Sequence, residues 1–192
     1  MIYFILTQVG KTFFISTHND NTEEGVDMVS SLESKLILNG IYLDRLISAL
    51  RERKQKIVFT NGCFDIIHSG HIHYLQESKK LGDILIVGLN SDASIRRIKG
   101  PTRPINQESD RITVLSALQM IDYITVFSED TPIQLIDRIL PEVYTKGGDY
   151  SYENMIGQGI GGDYITAYGG QAVLISKVIS NSPSFIINKM GE

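Results

Sequence analysis

Short, fully apolar runs alternate along this chain with stretches whose apolar residues recur every three or four positions, and few folds accept that rhythm. Ile57-Val58-Phe59, Ile84-Leu85-Ile86-Val87, Ile124-Thr125-Val126-Phe127, Val143-Tyr144 and Ala172-Val173-Leu174-Ile175 read as five strands too apolar to leave a face in water. Leu43, Leu46, Ile47 and Leu50 fall on one face of a helix whose polar exit runs from Arg51 to Lys56. A second helix begins near Ser69, carries Ile72 and Leu75, and stops at Gly82. A third, over residues 107–119, turns Val114, Leu115 and Leu118 inward. Thr131 and Pro132 offer an N-cap and a first-turn proline to a helix bearing Ile133, Ile136 and Ile139. Strands buried on both faces and joined by helices imply right-handed βαβ units. The expected fold is a Rossmann-like, doubly wound α/β domain with a five-stranded parallel sheet and helices on both faces. Ligands of such sheets bind beyond the C-terminal strand ends, at the switch point, so the loops after the first, second and fourth strands carry the interest.

Charge narrows the function classes. Of 192 residues, 18 are Lys or Arg and 22 are Asp or Glu, a net charge of -4. No global field favours nucleic acid or an anionic membrane, so neither is an expected partner and any anion site must be local. The one cysteine, Cys63, supports neither an intrachain disulfide nor a Cys-rich zinc site, and the expectation is a soluble, cytoplasmic protein with no bound structural metal. The apolar start, Met1 to Leu6, is too short to span a bilayer and lacks a basic leader. It meets a second short run, Phe13-Phe14-Ile15, across Gly10-Lys11, a pairing that also suits a hairpin. Residues 1–27 are expected as an extension or appendage, with residues 28–192 the single folded domain. Gly10-Lys11-Thr12 mimics the end of a P-loop, but Ile5 occupies the position where that motif needs glycine.

The loop after the first strand holds the densest chemistry. Thr60-Asn61-Gly62-Cys63-Phe64-Asp65-Ile66-Ile67-His68-Ser69-Gly70-His71 contains two of the four histidines. His68 precedes a helix and His71 lies in its first turn, where unpaired N–H groups and the helix dipole already favour an anion. Gly70 removes a side chain where a base or phosphate would approach. Imidazoles there can donate to phosphate oxygens and stabilise charge that grows in a transition state. The bland alternative is a solvent-exposed helix start with incidental histidines.

This loop resembles the His-x-Gly-His signature of the cytidylyltransferase-like nucleotidyltransferases. Thr60 to Tyr74, Lys80 to Asp92, Arg97 to Asn106 and Lys146-Gly147-Gly148-Asp149-Tyr150 together are similar to one branch, the adenylyltransferase domain of ADP-heptose synthase. The similarity covers roughly residues 50–180, and Lys99-Gly100-Pro101-Thr102-Arg103-Pro104 is its most specific piece. The resemblance implies transfer of AMP from ATP, with Mg²⁺ on the polyphosphate, to D-glycero-β-D-manno-heptose 1-phosphate for lipopolysaccharide core precursor or related glycan synthesis. It assigns His68, His71 and Lys99 to catalysis. Asn61, Gly62, Cys63, Phe64, Gly70, Ser182 and Ser184 fall to the nucleotide, and Asp65, Arg103, Lys146 and Asp149 to the sugar phosphate. It also leaves room for a homo-oligomer and for a separate heptose kinase.

The residues keep other readings open. Arg96, Arg97, Lys99 and Arg103 form a basic cluster in a loop leaving the second strand, and Arg96 and Arg97 read as surface. Asp65 suits a substrate contact or a turn cap, and Arg111 a substrate contact or a surface ion pair. Gly157-Gln158-Gly159-Ile160-Gly161-Gly162 fits a dinucleotide fingerprint but lacks its preceding strand and following acid, so a loop is expected. Ser180-Asn181-Ser182-Pro183-Ser184-Phe185 departs from the family's Ser/Thr-rich turn: proline removes a donor and Phe185 stands where a cation belongs. Each lost charge-assisted contact costs about 1.5–3 kcal/mol. Two rivals follow, a CTP-dependent enzyme acting on glycerol 3-phosphate or a similar alcohol phosphate, and a non-catalytic nucleotide-binding protein.

Overall fold

The computed structural model describes residues 3–8, 11–16, 35–37, 40–147, 151, 153, 155 and 161–176. Two strands, β1 (Tyr3–Gln8) and β2 (Lys11–Ser16), pair antiparallel as a separate two-stranded sheet, with Tyr3 opposite Ser16 and Gln8 opposite Lys11.

The main unit runs β3 (Leu36–Ile37), α1 (Gly40–Glu52), β4 (Ile57–Gly62), α2 (Ser69–Lys79), β5 (Ile84–Asn90), α3 (Asp92–Lys99), α4 (Glu108–Ser116), β6 (Tyr123–Phe127), α5 (Ile133–Ile139), β7 (Val143–Lys146), α6 (Gly162–Ala167) and β8 (Gln171–Leu174). Six strands lie in the order β3-β6-β5-β4-β7-β8, every pair parallel. The expected parallel sheet is present with one strand more than five. The extra strand, β3, is two residues long and leaves no periodicity to read. From β4 the chain steps outward through β5 and β6, then returns to lay β7 on the other side of β4. The switch point therefore lies between the C-terminal ends of β4 and β7.

Side chains alternate across the sheet with the period of two that a strand imposes. Ile57, Phe59 and Ile86 join Leu43, Ile47 and Leu50 of α1, Ile136 and Ile139 of α5 and Ile165 of α6 in one core. Val58, Leu85, Val87 and Leu89 face the other way, onto Tyr74 and Leu75 of α2 and Leu115 of α4. Both faces are thus covered, which is why the strands carry no polar alternation.

Several local expectations shift. Asn61 and Gly62 continue β4 instead of ending it in a turn, because β5 pairs with them through Gly88 and Leu89. Val114, expected inward, is 46% exposed; α4 ends at Ser116, and Leu118 packs on the core from beyond it. Helix α2 ends at Lys79, short of Gly82. Helix α5 begins at Ile133 after Pro132, with no side-chain cap from Thr131.

Candidate active site

Strand β4 feeds α2 through a loop whose shape depends on Gly62 and Phe64. Phe64 adopts φ +45°, and a Cβ at residue 62 would stand 3.1 Å from its ring. That ring is buried and lies 5.4 Å, centroid to centroid, from the His71 imidazole. His71 in turn sits 3.9 Å from His68. Phe64, expected at the nucleotide, thus also packs its ring against His71.

His68 is the N-cap of α2, and its Nδ1 accepts the Gly70 N–H at 3.2 Å. An accepting Nδ1 carries no proton, which assigns the ring's N–H to Nε2. The cap meets one of the orphan N–H groups of the first turn; the remaining ones and the dipole still favour an anion. Below the histidines a buried polar seam docks α2 on β4 and β7. Tyr74 Oη donates to Thr145 O at 2.8 Å, Ser78 Oγ lies 2.9 Å from Thr145 Oγ1, and Tyr74 Oη meets Thr60 Oγ1. Fully bonded seams of this kind hold a helix in one register, because sliding would strand buried donors.

At the switch point Lys146 is 4% exposed, and its Nζ donates to Asn61 Oδ1 at 2.7 Å and Asn61 O at 3.1 Å. Tyr144 Oη donates to the same Oδ1 at 2.8 Å. With two donors on its oxygen, the Asn61 carboxamide is fixed in orientation. Burial lowers the Lys146 pKa from 10.5 to about 7. Cys63 lies nearby; burial raises its thiol pKa, and the charges of Lys99, Arg111 and Lys146 oppose that rise. The thiol is therefore a protonated small group.

The basic cluster is not wholly in a loop. Arg96, Arg97 and Lys99 occupy the last turn of α3. Arg97 pairs with Asp130 at 2.9 Å on the surface, as its surface reading requires; Lys99 ends the helix exposed. Arg103 follows in the next loop, with Nε 3.3 Å from Asp65 Oδ2. Its Nη1 is buried and has no hydrogen-bond partner among the described residues.

Asp65 takes the second of its two readings, and Arg111 needs correction. The Asp65 carboxylate, offered to a substrate by its position, is 5% exposed and accepts the backbone N–H groups of Ile105 (2.8 Å) and Asn106 (2.9 Å). With Arg103 added, three protein donors meet this carboxylate, as the turn-capping reading of Asp65 requires. Arg111 is no surface ion pair. It is 2% exposed and spans Cys63 O, Asn90 O, Asn106 O and Asp92. Its long-range acceptors leave no signal in local sequence. Gly161 and Gly162, from the glycine-rich run, end at the start of α6. Asp149, Ser182 and Ser184 lie outside the described residues.

Among the described residues no three His, Cys, Asp or Glu side chains stand together as a metal site, and no helix is long and apolar enough to cross a membrane.

Residues 59–161 match the family model described as Cytidylyltransferase-like. The chain is 44% identical over 95% of its length to the bifunctional protein HldE of Syntrophotalea carbinolica. It is 52% identical over 69% of its length to the HldE protein of Helicobacter pylori. It spans about a third of these curated relatives, 36% and 30% respectively. Among solved structures, the lipopolysaccharide core biosynthesis protein from Thermoplasma volcanium is 30% identical with a TM-score of 0.53, covering 65% of this chain and 97% of that one. A pantoate-β-alanine ligase from Francisella tularensis, 17% identical with a TM-score of 0.54 over 78% of this chain and 68% of its own, shares the fold.

Proposed function

The chain belongs to the cytidylyltransferase-like family, and on that premise we propose that it transfers AMP from ATP to a sugar 1-phosphate, D-glycero-β-D-manno-heptose 1-phosphate, giving ADP-heptose and pyrophosphate. The observation that carries this reading is the pair of imidazoles stacked 3.9 Å apart at the N-terminus of α2, where His68 caps the Gly70 N–H through Nδ1. The identity to the HldE proteins directs the choice toward the heptose substrate.

In this reading a phosphate oxygen of the sugar 1-phosphate attacks the α-phosphorus of ATP in line, and pyrophosphate leaves from the opposite side. No protein nucleophile is required, because positioning and charge stabilisation supply the rate. His68 and His71 donate to the phosphates, and Lys99 balances charge on the leaving pyrophosphate. Asn61, Gly62, Cys63 and Gly70 line the nucleotide side, with Ser182 and Ser184 as further contacts. Lys146, Asp149 and Arg103 serve the sugar phosphate. A buried, unpartnered Nη1 on Arg103 is costly, and an acceptor brought by the substrate would relieve that cost.

The donor set suits a magnesium ion carried by the nucleotide. Asp65 and Asp92 are both engaged with protein donors, and Mg²⁺ is commonly held by substrate phosphates and water. Bound in that way, the ion would offset polyphosphate charge. The catalytic unit is read as residues 28–192, with 1–27 an appendage. A cytoplasmic setting supplies ATP, and a separate kinase step would furnish the sugar 1-phosphate.

The test is pyrophosphate release with Mg²⁺, comparing ATP plus heptose 1-phosphate with CTP plus glycerol 3-phosphate, and a His68→Ala, His71→Ala double variant as control. Release with ATP that the double variant loses supports the proposal. Release confined to CTP transfers the assignment to the cytidylyl rival. Nucleotide binding by calorimetry without turnover on either pair identifies a binding protein, the reading favoured by the altered Ser180–Phe185 stretch.

A further inference from the structure

Between β5 and α4 the chain makes an excursion, residues 92–106, whose far part carries Lys99 and Arg103. Arg111 touches both ends of it. Nη2 lies 2.8 Å from Asp92 Oδ1 at the start, and Nε donates to Asn106 O at 3.1 Å at the finish. Nη1 donates to Asn90 O and Cys63 O, each at 2.8 Å, so the same guanidinium reaches the last residue of β5 and the loop after β4. The side chain is almost fully buried, and all three of its nitrogens are engaged. Asp65 grips the same finish, through Ile105 N, Asn106 N and Arg103 Nε, while Asn106 Nδ2 donates to Asp65 O.

We propose that Arg111 is a positioning residue that closes the 92–106 excursion against the β4 loop, and so sets where Lys99 and Arg103 stand relative to His68 and His71. The geometry asks for arginine. Four acceptors on three chain segments must be met from one buried point, and a planar fork with five N–H donors can span them where an ammonium cannot. Flexible excursions pay closure entropy each time their ends meet; here both ends meet on a single rigid group. The functional consequence rests on the reading of Lys99 and Arg103 as substrate contacts, but the closure itself does not.

The test substitutes Arg111→Lys in the full chain, which keeps the charge and loses the fork. Amide hydrogen exchange reads the closure directly. The Ile105 and Asn106 N–H groups, which are bonded to Asp65 and not to Arg111, should exchange at least tenfold faster, while amides of β4 and β5 keep their protection. In the transfer assay kcat/KM should fall about thirtyfold, mainly through KM for the sugar phosphate. Arg111→Lys and Asp65→Asn should combine non-additively, because both act on one segment. Unchanged exchange at Ile105 and Asn106 in the folded variant overturns the proposal, as does equal loss of protection across the sheet, which marks a merely structural residue. If the lysine variant does not fold, Asp92→Ala, which leaves three carbonyl acceptors to the guanidinium, should accelerate the same two amides about threefold; no acceleration overturns the proposal. Should the unmodified chain release no pyrophosphate with any substrate pair, the functional reading fails, and the exchange result still judges Arg111.

Discussion

The two edges of the central sheet carry opposite charge arrangements. At the N-terminal edge carboxylates turn in and end on backbone. Asp83 accepts Lys56 N and Glu142 accepts Ile57 N, each at 2.8 Å, while Asp122 accepts Leu85 N and Lys79 Nζ, each at 2.6 Å. Each meets a backbone N–H at or beside the start of a strand. At the C-terminal edge the excess is cationic: Lys99, Arg103, Arg111 and Lys146 against Asp65 and Asp92. A chain of net charge -4 thereby presents a local positive field where the histidines stand. The contrast sets an edge whose carboxylates are spent on backbone against one with an excess of cations, which the proposed function reads as suited to anions, and it can be attacked from both sides.

The largest effect is expected from the His68→Ala, His71→Ala variant. Pyrophosphate release should fall by about 10³-fold or more, in line with loss of transition-state charge stabilisation. Its melting temperature should drop by only a few degrees, since a lost N-cap costs about 1 kcal/mol. A melt that collapses with activity would make the histidines structural and erase the contrast.

Lys146→Met should weaken substrate binding by about tenfold, the loss of one charge-assisted contact, while raising stability at neutral pH. The sign follows from its lowered pKa, about 7 against 10.5. Below pH 7 both folded and unfolded states hold the proton, and the cost of burying the charge is fully present. Between about 7 and 10.5 the unfolded chain keeps a proton that the fold has shed, so stability rises with pH. Denaturant melts at pH 7 and 9.5 should show that rise in the parent chain and a smaller one in the variant. A rise of equal size in both would assign it to other groups.

Asp122→Ala, at the opposite edge, should cost about 2 kcal/mol of stability through the lost backbone and lysine contacts, with kcat unchanged. A fall in kcat without loss of stability would couple the edges and break the comparison. The smallest effect belongs to Arg97→Ala. Its exposed pair with Asp130 is worth less than about 1 kcal/mol, and neither melting nor turnover should move measurably.

The layered fold was legible because burial on two faces writes itself into consecutive residues: Ile84 to Val87 has no other soluble explanation as clear as a covered parallel strand. The helix start at Ser69 was legible for the same local reason, since capping acts within one turn. Strand β3 was not, being two residues long, and Val114 was misread because periodicity marks a face without saying whether anything covers it. Among the candidate site residues, His68, His71 and Lys146 were picked out by their place at strand and helix ends together with the family resemblance. Arg111 could not, because its acceptors lie on segments up to 48 residues away.

What the sequence determined by itself is the class of fold and the residue types that stand at the C-terminal edge of the sheet, since these depend on local pattern and on strand direction. Tertiary structure decided the occupation of each group. Asp65 and Arg111 came to hold one loop, Phe64 packed its ring against His71, and Lys146 became a buried lysine with its charge held near the balance point. The physical reason is that a side chain's role depends on which donors and acceptors meet it and how much water remains, and both are set by segments distant in the chain.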